Sequence, residues 1–218
     1  MQFAMEELVQ SFEHETSIQC EIILSSSGKL TAQIKEGAPY DIFLSADLKF
    51  PTELYNAGLT TATPRIYAYG HLVLWSMVEG LMPSIELLET KKVNRIAISN
   101  PKTAPYGKAS MQVIVYYDLS NAIEDKLVYG ESIAQTNQFI TSKSAEIGIT
   151  AKSVVLSPAM RDKGKWVEID TSAYSAIPQS MVMLKNENDH IEKAERFGEF
   201  LLSDKGKEIL ERYGYSIK

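Results

Sequence analysis

A single cysteine, Cys20, among 218 residues rules out an internal disulfide, and with it the small cross-linked scaffold. It lies in IQCEIIL, where Ile18, Cys20 and Ile22 alternate, the pattern of a half-buried strand rather than of a reactive thiol. No apolar run approaches the roughly 20 residues that carry a helix across a bilayer. Positive charge is also in short supply: 22 Lys and Arg face 28 Asp and Glu, a formal net charge of −6. Nucleic acid and anionic membranes both call for a basic face, so neither is an expected partner.

Catalytic signatures are missing too. His14, His71 and His190 share no motif, and each reads as a surface or packing residue. There is no H-E-x-x-H, paired C-x-x-C, EF-hand loop, P-loop, G-x-G-x-x-G or G-x-S-x-G. The expectation is a binding protein and not an enzyme. The opening MQFAMEELVQSF has neither the basic flank nor the apolar stretch of a signal peptide. It reads instead as a helix, with Met5, Leu8, Val9 and Phe12 at helical spacing.

What the chain does have is apolar material. Hydrophobic residues make up 44% and charged residues 23%, enough for the cores of two lobes of about 100 residues each. Strands are expected at 18–24, 41–45, 65–78, 95–99, 126–130, 145–151, 165–169 and 180–185. Helices fall between most of them, at roughly 28–37, 47–57, 85–90, 108–119 and 131–143, with a helical end around Ile191, Ala194, Phe197 and Leu201. This alternation predicts an α/β fold, each lobe a mostly parallel sheet flanked by helices. The chain would cross between lobes near 65–78 and 174–185.

One local pattern recurs: a strand, a short neutral loop of small residues, then a helix start. It occurs at SSSG (25–28), APYG (104–107) and GESI (130–133). The first turn of a helix presents amides without intrahelical acceptors, and the aligned peptide dipoles add partial positive charge there. Such an end holds an oxyanion without any cationic side chain, which suits a chain whose overall field repels anions. A serine hydroxyl adds a rotatable donor, and glycine permits close approach. Each loop taken alone reads equally well as an ordinary helix cap.

The stretches SSSGKLTAQIKEGAPYDIFLSAD (25–47) and NPKTAPYGKAS (100–110) closely resemble the two ligand loops of periplasmic molybdate-binding proteins, the solute receptors of ABC importers. EIGITAKS (146–153) and the terminal KGKEILERYGYSIK are similar to the same family. The resemblance implies a two-lobed periplasmic binding protein (type II) fold, with lobe one at 1–69 and 177–218 and lobe two at 70–176. It implies that the lobes close on molybdate or tungstate, the molybdenum entering as an oxyanion and not as a bare cation. It also implies no cofactor, a monomer in the periplasm, and the membrane permease subunits of an ABC importer as partner. Carried over by position, Ser26 donates hydroxyl and amide, Tyr106 and Ile133 donate amides, and Ser27 is the second-choice neighbour.

Two departures from the family pattern stand out. The family's first strand, which ends in a Ser or Thr ligand, precedes the position matched by Met1, so lobe one is expected to lack it. Where some members place a ligand tyrosine, this chain has Ala151, and the Tyr106 phenol is as well suited to that role as to packing. Other readings remain open. A receptor for sulfate, phosphate or an organic carboxylate is one, although a carboxylate usually takes an Arg fork and none of the three loops holds Arg. A non-catalytic effector-sensing domain or an enzyme on the same fold are the others.

Overall fold

Helix α1 (Gln2–Thr16) turns Ala4, Met5, Leu8, Val9 and Phe12 inward, the face expected from their spacing. It stops at Ser17, whose left-handed backbone (φ 57) lets its N–H bond back to the Glu13 carbonyl. The computed structural model to which this helix belongs describes residues 1–185 and 190–217.

After α1 the chain runs through residues 18–26 without joining a sheet, which corrects the strand expected at 18–24. The alternation itself is real. Ile18, Cys20 and Ile22 pack against the core while Gln19, Glu21 and Ile23 face outward. Periodicity reports which face is buried; a strand also needs a ladder partner, which periodicity does not supply. Then come α2 (Ser27–Lys35), β1 (Ile42–Ser45), α3 (Lys49–Asn56) and β2 (Arg65–Gly70). Pro51 sits within the first turn of α3, where its missing N–H breaks no helical bond.

The single strand expected over 65–78 is broken at His71, where β2 gives way to β3 (Leu72–Ser76). There follow β4 (Ile96–Ser99), α4 (Pro105–Tyr116), α5 (Ser120–Ile123), β5 (Leu127–Gly130), α6 (Ile133–Thr141) and β6 (Ile147–Ala151). The chain continues through α7 (Lys152–Val155), β7 (Lys165–Glu168), β8 (Ile177–Met183), α8 (Ile191–Leu202) and α9 (Asp204–Arg212). The region 85–90 forms a short 3-10 turn, Glu86–Glu89, rather than a full helix. Contacts divide the chain into two units, Met1–Gly70 with Pro178–Lys218, and His71–Ile177.

Mostly parallel sheets were expected; antiparallel pairs occur in both, and the second sheet is mixed. In the first unit the strand order is β1-β8-β2, and β1 runs antiparallel to β8. In the second the order is β5-β4-β6-β3-β7; β4 is parallel to β5 and β6, while β3 is antiparallel to β6 and β7. The parallel neighbours are those joined through helices. Strands β3 and β8 are entered without an α-helical crossover to return them to the starting end, and β3 runs against β6 and β7 while β8 runs against β1.

The first unit's core gathers Phe12, Phe197 and Phe200, with Phe12 edge-on to Phe197 at 5.1 Å, over Leu8, Leu201 and Leu210. Each such side chain contributes roughly 1.5–3 kcal/mol on burial. In the second unit every residue of β3, β4 and β6 is buried, as expected of strands covered on both faces. Trp75 lies at its centre, its Nε1–H donating to the Lys163 carbonyl at 3.0 Å.

Candidate anion-binding site

Three helix starts carry the predicted residues. Ser26 and Ser27 belong to the first unit, Tyr106 and Ile133 to the second.

Ser26 is the N-cap of α2, extended at φ −72 and ψ 150, and its Oγ accepts the Lys29 amide at 3.4 Å. The hydroxyl proton has no acceptor among the described residues, so it is available to an oxyanion. Ser27 Oγ accepts the Ala46 amide at 3.2 Å, tying the start of α2 to the loop that leaves β1. Ser45–Asp47, only a fragment of a motif at the sequence level, is thus held against the start of α2. Its carboxylate is already committed: Asp47 Oδ1 accepts the Ser45 hydroxyl at 3.0 Å and the Phe50 amide at 3.1 Å, capping α3. Ser180 donates to the Asp47 carbonyl and fixes the loop to β8. Ser26 and Ser27 are 5% and 7% exposed, buried enough that water competes weakly for their donors.

In the second unit, α4 begins three residues earlier than its periodicity suggested. Pro105 takes the first position, favoured because no helical bond is lost there. Lys108 N–H is the first to bond back, to the Ala104 carbonyl at 3.1 Å, so Tyr106 and Gly107 occupy the tip of the helix. Helix α6 starts at Ile133 behind its cap, Ser132, whose Oγ accepts the Gln135 amide at 3.3 Å. Gln135 Oε1 accepts the Glu131 amide in return, at 2.7 Å, a close relative of the capping box. Glu131 was expected in the first helical turn; it lies before the cap and is exposed. That leaves Ile133 and Ala134 at the tip of α6.

Both helices leave the same edge of the sheet. Ser99 and Gly130, the last residues of the parallel neighbours β4 and β5, stand in register, and the Asn100 amide donates to the Gly130 carbonyl at 2.7 Å. The two glycines have a role that the sequence reading gave to ligand approach. A Cβ on Gly107 would stand 2.2 Å from the Ser99 carbonyl oxygen, and one on Gly130 would stand 2.6 Å from Thr136 Oγ1. They let helix and strand meet. Lys29 and Lys108 are exposed, consistent with their expected places inside the helices. The Tyr106 residue is 5% exposed, and Ala151 is buried at the end of β6.

Among the described residues no group of three or more His, Cys, Asp or Glu is arranged to hold a metal ion, and no helix is long and apolar enough to cross a membrane. Burial first, then Lys152, pushes His71 below its ordinary pKa. What these loops can do chemically is donate hydrogen bonds.

Residues 1–216 match the family described as bacterial extracellular solute-binding protein. The chain belongs to that family. Over 98% of its length it is 34% identical to the molybdate-binding protein ModA of Azotobacter vinelandii, covering 85% of that protein. A second molybdate-binding protein ModA, from Rhodobacter capsulatus, is 32% identical over 87% of the chain and 74% of its own length. The solved periplasmic molybdate-binding protein of Azotobacter vinelandii superposes with a TM-score of 0.93 at 32% identity, covering 99% of this chain and 94% of that one. The resemblance read from the ligand loops, the binding-protein fold and the non-catalytic class are thereby borne out.

Proposed function

We propose that this chain is a molybdate receptor that also takes tungstate and delivers either to the permease subunits of an ABC importer from the periplasmic side, acting as a monomer. The observation that carries this reading is the set of helix starts without Arg, built on serine hydroxyls and backbone amides, in a chain one-third identical to molybdate-binding proteins. Ser26 donates its hydroxyl and amide, with Ser27 beside it; Tyr106 and Ile133 donate amides.

Discrimination follows from the donor-only chemistry. A site without acceptors leaves the O–H of hydrogen phosphate unpaired, at a cost of about 1–3 kcal/mol. Molybdate, tungstate and sulfate are all fully deprotonated near neutral pH, so sulfate is separated from the two larger ions by size alone. Molybdate and tungstate are nearly the same size and are bound alike. Calorimetric titration tests this: heat is expected from molybdate and tungstate and none from sulfate or phosphate. Sulfate binding as tightly as molybdate would overturn the size argument.

A further inference from the structure

The Ile133 and Tyr106 amides belong to the backbone, so no side chain of theirs decides where they point; something else must. Ser99, at the end of β4, touches both helices that carry them. Its carbonyl oxygen is the atom against which Gly107 of α4 is pressed, close enough to leave no room for a Cβ. Its hydroxyl meets Thr136 of α6, Oγ to Oγ1 at 3.0 Å. Thr136 Oγ1 in turn donates to the carbonyl of Ser132, the cap of α6, at 3.0 Å. Since the one hydroxyl proton of Thr136 is spent there, Ser99 is the donor in the pair. Both residues are fully buried, so no water substitutes for either bond. At the next residue, Thr150 of β6 donates to Asn137 Oδ1 at 2.5 Å, and one turn beyond Thr136, Ile140 fills the space above Gly148. Helix α6 is therefore seated on the sheet, and Ser99, which holds its first turns, also bears on Gly107 of α4.

We propose that Ser99 and Thr136 are positioning residues that set the spacing between the tips of α4 and α6, and through it the size of oxyanion accepted. This rests on the reading that Tyr106 and Ile133 are anion donors. Neither Ser99 nor Thr136 touches the ligand. They act by holding two backbone amides at a distance suited to the larger ions, and loosening that spacing lets sulfate compete.

The pair permits a test that separates positioning from stability. Thr136→Val keeps the side-chain shape but strands the Ser99 proton in an apolar interior, so the thermal midpoint and molybdate affinity should both fall. The double variant Ser99→Ala/Thr136→Val removes donor and acceptor together, a change that is often close to neutral for stability. Its midpoint should return most of the way to the wild type, while molybdate affinity stays at least tenfold weaker and the molybdate-to-sulfate preference stays reduced. Thr136→Ser, which retains the hydroxyl, should restore both to within threefold. If affinity and preference recover in the double variant along with the midpoint, the pair is merely structural and the proposal fails.

Amide spectra of the ligand-free chain read the same claim without any anion. The double variant should shift the Tyr106 and Ile133 resonances together, and shifts confined to Gly107 and to residues within two positions of 99 and 136 would overturn it. A wild-type chain that binds no oxyanion in calorimetry would sink the receptor reading instead, so the two failures are distinguishable.

Discussion

The donors proposed in the two units are built from different materials. In the first unit the main donor is a side chain: Ser26 caps α2 and keeps its proton for a ligand. In the second the proposed donors are backbone amides at the tips of α4 and α6; the capping serine there, Ser132, accepts the Gln135 amide as Ser26 accepts that of Lys29, but it is less buried than Ser26 and no donor role is assigned to it. A hydroxyl can be deleted by one substitution. A backbone amide cannot, and it is vulnerable only through whatever holds it in place. Equivalent chemistry toward an anion is thus exposed to mutation in opposite ways.

The sharpest break in that comparison comes from Ser26→Asp. Aspartate caps a helix as well as serine does, so stability should change by less than about 0.5 kcal/mol. A new negative charge about 4 Å from an anion costs roughly 4 kcal/mol per unit charge at an effective dielectric near 20. Molybdate affinity measured by calorimetry should therefore drop by about a thousandfold or more. An unchanged affinity would mean that Ser26 is a cap and nothing else.

Next in size is Gly107→Ala, which attacks the second unit's proposed donors through their support. The added Cβ meets the Ser99 carbonyl, backbone against backbone, so α4 has to lift from β4. Overpacking of this kind costs about 1–3 kcal/mol, a fall in midpoint on the order of 5 °C for a chain of this size. Affinity is expected to fall at least tenfold, and a normal titration would show that the tip of α4 is not part of the site.

A smaller effect sharpens the contrast between the two capping serines. Ser26→Ala and Ser132→Ala each lose a cap worth about 1 kcal/mol, measurable by denaturant unfolding. Only the first also loses a donor to the anion, so its affinity should fall about tenfold or more. The second should stay within about threefold. Equal losses would erase the distinction drawn here.

The smallest effect concerns a group that no ligand loop involves. Tyr213 donates to Glu7 Oε2 at 2.9 Å, and burial, followed by its bond to Glu7 and that carboxylate's charge, pushes its pKa up to about 12. A raised pKa favours the protonated phenol in the folded chain. Its contribution is fully present below the ordinary value near 10 and is lost as pH rises toward 12. Tyr213→Phe should lower the midpoint slightly at neutral pH, flatten its decline between pH 10 and 12, and leave anion binding unchanged. A decline as steep as the wild type's would assign the alkaline loss to other groups.

Much of this was legible in the residues themselves. The spacing of Met5, Leu8, Val9 and Phe12 gave α1 its inward face, and the unbroken apolar run of RIAIS marked a strand covered on both sides. Ser26 and Ile133 could be placed at helix starts because caps and small-residue loops leave local signals. Helix α4 was placed late, its start hidden by Pro105, which punctuates a loop and opens a helix with equal ease. Thr136 left no signal, since a threonine inside a helix looks the same whether or not its hydroxyl has a buried partner.

By itself, then, the order of residues determined which segments are helical, which faces are apolar and where serines and small residues begin a helix, since these depend on neighbours a few positions away. Only the tertiary structure decided that 18–26 runs without a ladder, that β1 and β3 lie antiparallel to their neighbours, and that Ser99 touches Gly107 and Thr136 at once. Those outcomes turn on which distant residues share a surface. Burial and hydrogen-bond satisfaction are settled between surfaces, and no local pattern along the chain records them.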